Sequence, residues 1–245
     1  MKAVRRNHPS EINLYIWRMK QIPYIIPALA LLLSAACSRQ TEPVLRTGDL
    51  LFVGLPWDYR ADSTDMGGAI VEATGSDSIN FIHTAIVETR GDSTWIIDAT
   101  LKRGVARYPL DTFLVDFTLR DGSSPSFVVM RLKDSPKVAD YVENAKKFIG
   151  LPYDSTFMPG NGAMYCTELV RESYRRDDGS CIFGDKPMNF KNLEGEFPAY
   201  WVKLFASLGM PIPQGVPGTN PQDMAKETVL TRVGVGLPRQ SKQHR

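Results

Sequence analysis

Asn161-Gly162-Ala163-Met164-Tyr165-Cys166-Thr167-Glu168-Leu169-Val170 reads as a loop that turns into a helix, with a cysteine in its first turn. Leu169, Val170 and Tyr174 give residues 165–176 one apolar side. Glu168 and Glu172 come early and Arg171, Arg175 and Arg176 late, the order the helix macrodipole favours. Backbone N–H groups at a helix start have no partner inside the helix. They stabilise a thiolate and can also hold an oxyanion. On local grounds the competing reading of Cys166 is a small buried hydrophobe. Glu168 is expected to face away from Cys166 and to form a salt bridge, not to act as a base.

A thiolate needs a base, and the chain has three histidines, His8, His83 and His244. Only His83 lies in the globular part, so Cys–His chemistry has one available base and a multi-histidine metal site has almost no ligands. No metal or cofactor is expected. Residues 81–89 read as a strand on which His83 shares a face with Phe81, Ala85 and Val87, while Ile82, Thr84 and Ile86 take the other. A lone histidine among apolar residues is by default a satisfied core residue. Asp98 follows Trp95-Ile96-Ile97 on residues 93–99, a strand joined to the His83 strand by the turn Arg90-Gly91-Asp92. Its carboxylate could accept the His83 Nδ1–H and orient the ring. A strand-end carboxylate facing water or a turn amide is the plain alternative.

Outward from these residues the pattern is strands first, then helices, which predicts an α+β fold. Residues 50–53 form a continuous apolar run, and 104–108 and 126–132 are further strand candidates. Residues 67–74 have helical spacing before Gly75, 111–117 suit a short helical turn, and 137–149 form an amphipathic helix stopped by Gly150-Leu151-Pro152. Residues 199–208 give another helix.

The chain has 245 residues, 43% hydrophobic and 23% charged, an ordinary globular composition. Residues 1–36 hold five of the 29 Lys/Arg and one of the 27 Asp/Glu, leaving 24 basic and 26 acidic residues beyond them. That remainder has no large basic field, so nucleic acid is not an expected partner. Residues 22–36 are apolar, uncharged and too short to span a membrane comfortably; they follow Arg18 and Lys20 and end in small residues. Residues 1–36 are therefore read as an export signal, with Met19 as an alternative start. Ser34-Ala35-Ala36-Cys37 resembles a lipobox, making Cys37 the expected lipidation site; ordinary cleavage after Ala36 is the alternative. Residues 37–45 form a tether, 46–235 the domain and 236–245 a flexible tail. Cys166 and Cys181 are the two remaining thiols.

Together these pieces resemble the permuted NlpC/p60 hydrolases of the YiiX/YebB-like group. The resemblance is carried by Gly48-Asp49-Leu50-Leu51-Phe52, Phe81-Ile82-His83-Thr84-Ala85-Ile86-Val87, Ile97-Asp98-Ala99, Gly150-Leu151-Pro152-Tyr153-Asp154, Tyr165-Cys166-Thr167-Glu168-Leu169-Val170 and Asn220-Pro221-Gln222-Asp223-Met224. They fall in the family's order over residues 46–235, and the cysteine block is the most specific. Ala85 stands where the family has glycine, Asp98 where it has glutamate and Thr167 where it has serine.

The resemblance implies a circularly permuted papain-like fold, a small antiparallel sheet or barrel packed against helices. It implies a Cys166 thiolate that attacks an amide or ester carbonyl, with His83 as proton carrier and Asp98 as orienting group. Tyr153, Asp154, Asp49 and Tyr165 are candidate substrate-binding residues. A plain turn at Tyr153-Asp154 and a strand-start cap at Asp49 remain open. The expected substrates are envelope peptides such as cell-wall stem peptides. The alternatives are lipid or acyl-amide hydrolysis or acyl transfer, or a catalytically silent peptide-binding lipoprotein. The expected setting is an exported monomer held at the membrane through Cys37, in the periplasm or at the cell surface.

Overall fold

A computed structural model describes residues 43–56, 59, 62, 64–75 and 77–237. Residues 1–36 and Cys37 lie outside the described residues. In chain order the elements are β1 (Leu50–Pro56), α1 (Met66–Thr74), β2 (Ile79–Arg90), β3 (Ser93–Thr100), β4 (Gly104–Pro109), α2 (Leu110–Asp116) and β5 (Ser126–Leu132). There follow α3 (Val138–Lys146), α4 (Cys166–Ser173), β6 (Lys186–Pro187), α5 (Ala199–Leu208), β7 (Pro217–Gly218), α6 (Pro221–Met224) and β8 (Leu230–Val235). A six-stranded sheet has the order β4-β3-β2-β1-β5-β8, every neighbouring pair antiparallel. The architecture is α+β, an antiparallel sheet packed against helices.

The apolar run at residues 50–53 explains why β1 is central. Its side chains alternate between two cores, one on each face of the sheet. Leu50 and Phe52 join Ile86, Ile97 and Val128 under α3 and α4, which contribute Tyr141, Val142, Leu169 and Val170. Leu51 and Val53 join Ala85, Val87, Ile96 and Phe127 under Leu110 and Phe113 of α2. Gly48 turns the chain into β1 with φ +83°, and a Cβ there would lie 2.5 Å from Val138 Cβ. Only glycine meets both demands cheaply.

One buried carboxylate ties the sheet's edge to a helix. Glu88 of β2 accepts from Arg107 of β4 (2.6 Å), Lys146 of α3 (2.7 Å) and Arg90 (2.7 Å). Burial opposes its ionisation, but Lys146, Arg107 and Arg90 prevail and hold it down at about 2.

The structure departs from the sequence expectations at several places. The strand β8 was not anticipated; it pairs with β5 and extends the sheet. The tether is shorter than residues 37–45, because Pro43 packs against Gly234 and Leu45 against the second core. Gly236 donates to the Phe127 carbonyl (2.9 Å) and Leu237 packs on the same core, so the domain runs past 235. Phe81 and His83 do not share a face. A bulge shifts the register so that Val53 faces His83 while Gly54 faces Phe81. The extra residue, Ile82, sends Phe81 to the other core, with its ring centroid 5.3 Å from that of Phe52.

Candidate active site

The same bulge prepares the histidine. With the ladder interrupted, the Phe81 N–H donates instead to Gln222 Oε1 (2.7 Å), and Gln222 Nε2 donates to Asp77 Oδ2 (2.6 Å). Gln222 sits on α6, whose N-cap Asn220 accepts from the Asp223 N–H (2.8 Å). Thus the segment Asn220–Met224 braces the strand that carries His83.

His83 is buried, its ring centroid 4.7 Å from that of Phe117. Its Nε2 lies 2.9 Å from Asp98 Oδ2. The sequence reading had placed this contact at Nδ1; it is made at Nε2, leaving Nδ1 as the other ring nitrogen. The shorter arm of aspartate loses nothing here, because β3 is the direct neighbour of β2, with Ile97 opposite Ile86. Asp98 has no exposed surface. Both its oxygens also accept from the Tyr108 hydroxyl, each at 2.8 Å.

Cys166 is the first residue of α4 and is 6% exposed. The first helical bond runs from the Leu169 N–H to the Tyr165 carbonyl, so the N–H groups of residues 166–168 precede the ladder. α4 packs on β2 and β3, which sets Cys166 and His83 side by side on the wall of one cavity. Burial alone would lower the His83 pKa. The Cys166 charge, the Asp98 hydrogen bond and the Asp98 charge outweigh it, and the pKa is pushed up to about 10. The raised pKa favours the imidazolium form of His83.

These groups open on a cavity of about 230 Å³. Cys166, His83, Tyr153 and Tyr165 line it, together with Met66, Ile70, Phe157, Met188, Phe190 and Trp201. The wall is a third apolar cluster, separate from the two sheet cores, contributed by α1, α5 and the segments around Phe157 and Phe190. Of the four candidate substrate-binding residues, Tyr153 and Tyr165 are part of this lining. Asp49 and Asp154 do not line the cavity. Asp49 is bound by Arg131 (2.6 and 2.8 Å) and by the Arg46 N–H (2.8 Å), a cap and ion pair at the start of β1. Asp154 takes the Thr156 N–H and hydroxyl and the Met158 N–H (2.8, 2.6 and 2.9 Å), a turn-holding role.

Glu168 also differs from expectation. Among the described residues it forms no ion pair, since Arg171 reaches Glu172 and Asp185 instead (both 2.5 Å). It is 7% exposed, stands three residues after the N-cap Tyr165, and its Oε2 is buried without a hydrogen-bond partner among the described residues. Burial and the neighbouring Asp154 charge raise its carboxyl to about 7.

Sequence reasoning missed Tyr108 and the apolar wall, and it singled out the segment holding Gln222 without giving that residue a role. Tyr108 had no local signal beyond lying on a strand. Phe190 and Trp201 carry no motif that sets them apart from other apolar residues.

Among the described residues no group of three or more His, Cys, Asp or Glu is placed to hold a metal ion. The one histidine near the thiol is engaged with Asp98, whose oxygens are already shared with Tyr108.

Residues 44–234 match the model of a family described as permuted papain-like amidase enzymes, YaeF/YiiX, C92. The chain is 24% identical over 197 residues to YiiX of Escherichia coli strain K12, a protein described as uncharacterised, covering 79% of this chain and 88% of that one. It also resembles a crystal structure of YiiX from Escherichia coli O157:H7, described as a metalloprotein. The TM-score is 0.60, with 24% identity, 81% of this chain covered and 100% of the other. At that identity the likeness speaks for the fold alone.

Proposed function

This chain belongs to the permuted papain-like amidase family, and on that premise we propose that it is an exported cysteine amidase whose substrates carry an apolar acyl group. The Cys166 thiolate attacks the amide carbonyl and the tetrahedral oxyanion is held by the Cys166 backbone N–H. The Tyr153 hydroxyl is a second donor. Burial and the adjacent Cys166 charge keep it protonated, and its present partner is the weakly accepting Met66 Sδ (3.5 Å). The C–N bond breaks as the His83 imidazolium gives its proton to the leaving amine, forming a Cys166 thioester. Water then attacks the thioester while His83 takes a proton, releasing the carboxylic acid and the thiolate.

The observation that carries the substrate class is the wall beside Cys166. Met66, Ile70, Phe157, Met188, Phe190 and Trp201 offer contact to methylene groups. Among the described lining residues His83 is the one basic side chain, so the carboxylates of a stem peptide have no other cation to meet there. An acyl chain gains about 0.8 kcal/mol for each methylene buried, a factor of roughly four per carbon in kcat/KM. The test is a series of N-acyl aminomethylcoumarins of increasing chain length, run beside muropeptides with Cys166→Ala as control. Rising kcat/KM with chain length supports the reading. Cleavage of muropeptides alone returns the substrate to cell-wall peptides, and no Cys166-dependent cleavage of either leaves a binding protein.

Export through residues 1–36 and lipid attachment at Cys37 belong to the same reading, since an anchored enzyme meets acylated substrates at the membrane. Cys37→Ala is then expected to move the protein from the membrane to the soluble envelope fraction.

A further inference from the structure

We propose that Tyr108 is a positioning residue for the catalytic group, acting through Asp98; this rests on the cysteine amidase reading above. The carboxylate of Asp98 has two oxygens and two neighbours. Oδ2 is shared between His83 Nε2 (2.9 Å) and the Tyr108 hydroxyl (2.8 Å), whereas Oδ1 meets the Tyr108 hydroxyl (2.8 Å). The terminal torsion of an aspartate has a broad minimum, so one hydrogen bond to His83 does not fix the plane of the carboxylate. A single phenol bonded to both oxygens does fix it, and directs Oδ2 at the imidazole.

The phenol is itself held in place. Its ring packs in the second sheet core, and the Arg103 guanidinium lies 4.5 Å from the ring centroid on its face. Arg103 is anchored by an ion pair to Asp116 at the end of α2. On β4, Tyr108 pairs with Ile96 while Ala106 pairs with Asp98, so the hydroxyl reaches the carboxylate diagonally across two adjacent strands. Burial and the Asp98 charge both oppose loss of the phenolic proton, so Tyr108 remains a donor throughout the working pH range. The contacts run from Arg103 through Tyr108 and Asp98 to His83. Phenylalanine would pack equally well in this core. The hydroxyl is therefore there for the carboxylate.

The test is a double-mutant cycle of Tyr108→Phe and Asp98→Ala, read with N-dodecanoyl aminomethylcoumarin and, independently of turnover, by the rate of Cys166 alkylation by iodoacetamide at pH 6. In the wild-type background Tyr108→Phe is expected to lower kcat about 10- to 100-fold with KM unchanged, the loss of hydrogen bonds to a charged group. Alkylation should slow several-fold. In the Asp98→Ala background the same change should cost nothing further in either assay. Equal losses in both backgrounds would mean that Tyr108 acts only on the fold, and no loss in the wild-type background would also overturn the proposal. Thermal melting checks folding. If Tyr108→Phe is unfolded, Tyr108→Gln, which keeps an N–H donor, should retain more activity than Tyr108→Leu; equal activity overturns the proposal. Failure of the amidase reading looks different: wild type and Cys166→Ala would then be equally inert on the coumarin amide, while the alkylation cycle still reports on Tyr108.

Discussion

Replacing Cys166 by alanine should bring His83 back to ordinary titration, and the size of the change can be worked from the site. The rise of His83 from 6.5 to about 10 corresponds to roughly 5 kcal/mol favouring the imidazolium. Burial works against it, so the attractive partners supply more than this. A thiolate at an ordinary contact of about 4 Å, with an effective dielectric constant of about 20, contributes about 4 kcal/mol. Asp98 supplies the rest through one hydrogen bond and its charge. Removing the thiolate should therefore lower the His83 midpoint by about three pH units, to about 7 or below. The measurement is NMR titration of the imidazole Cε1–H in histidine-labelled protein. Since the chain has three histidines, substituting His8 and His244 by glutamine leaves a single signal. A wild-type His83 that titrates near 6.5, or a Cys166→Ala variant that still titrates near 10, would refute the thiolate–imidazolium pair.

Glu88 has a carboxyl held at about 2 by Lys146, Arg107 and Arg90, below its unfolded value, so its stabilisation is full above about pH 4.5 and is lost as pH falls through about 2. Glu88→Gln should thus cost about 3 kcal/mol at pH 7, and its melting curve should converge with wild type in strong acid. Glu168 has the opposite sign: raised to about 7 by burial and Asp154, it binds its proton more tightly in the native state, so wild type loses stability between about pH 4.5 and 7. Urea midpoints of Glu168→Gln should be flat across that window, and an unchanged slope would sink the assignment. Gly218→Ala places a Cβ 2.8 Å from both Met188 Cγ and Tyr165 Oη, so a loss of about 1–3 kcal/mol in chemical denaturation is expected, with a widened or distorted cavity.

Much of this was legible in the sequence because the informative residues carry strong local constraints. The apolar run at 50–53 had to be a covered strand, and histidine counting left His83 as the one base within the domain. The spacing of Tyr165, Cys166, Leu169 and Val170 placed the thiol at a helix start. What escaped was set by pairing between distant segments. The bulge at Ile82 exists because Gly54 and Val53 face β2 out of step, and no pattern within residues 81–87 announces it. Tyr108 meets Asp98 only through the β3–β4 register. Gln222 reaches Phe81 from 141 residues away. Glu168 looked like a surface charge because helical spacing says nothing of the loop at residues 154–164 that covers it. Asp154 looked available for substrate, but the turn it closes absorbs both its oxygens.

The layout of the candidate site explains why the order of its residues along the chain is free to change. His83, Asp98 and Tyr108 lie on adjacent strands of one sheet, and hydrogen-bond register alone fixes their spacing. Cys166 comes from a helix laid on that sheet, so its distance from His83 is set by packing of Leu169 and Val170 against β2 and β3, not by the segment that joins them. The chemistry requires only that the two pieces meet, which is why similar groups recur in different chain orders. The cavity wall sits on yet another piece. The wall of Phe157, Met188, Phe190 and Trp201 belongs to a cluster that shares no buried residue with either sheet core. Substitutions there can reshape the cavity while the strands holding His83 and Asp98 keep their register. Within this fold the cavity wall can therefore change while the groups around Cys166 stay constant.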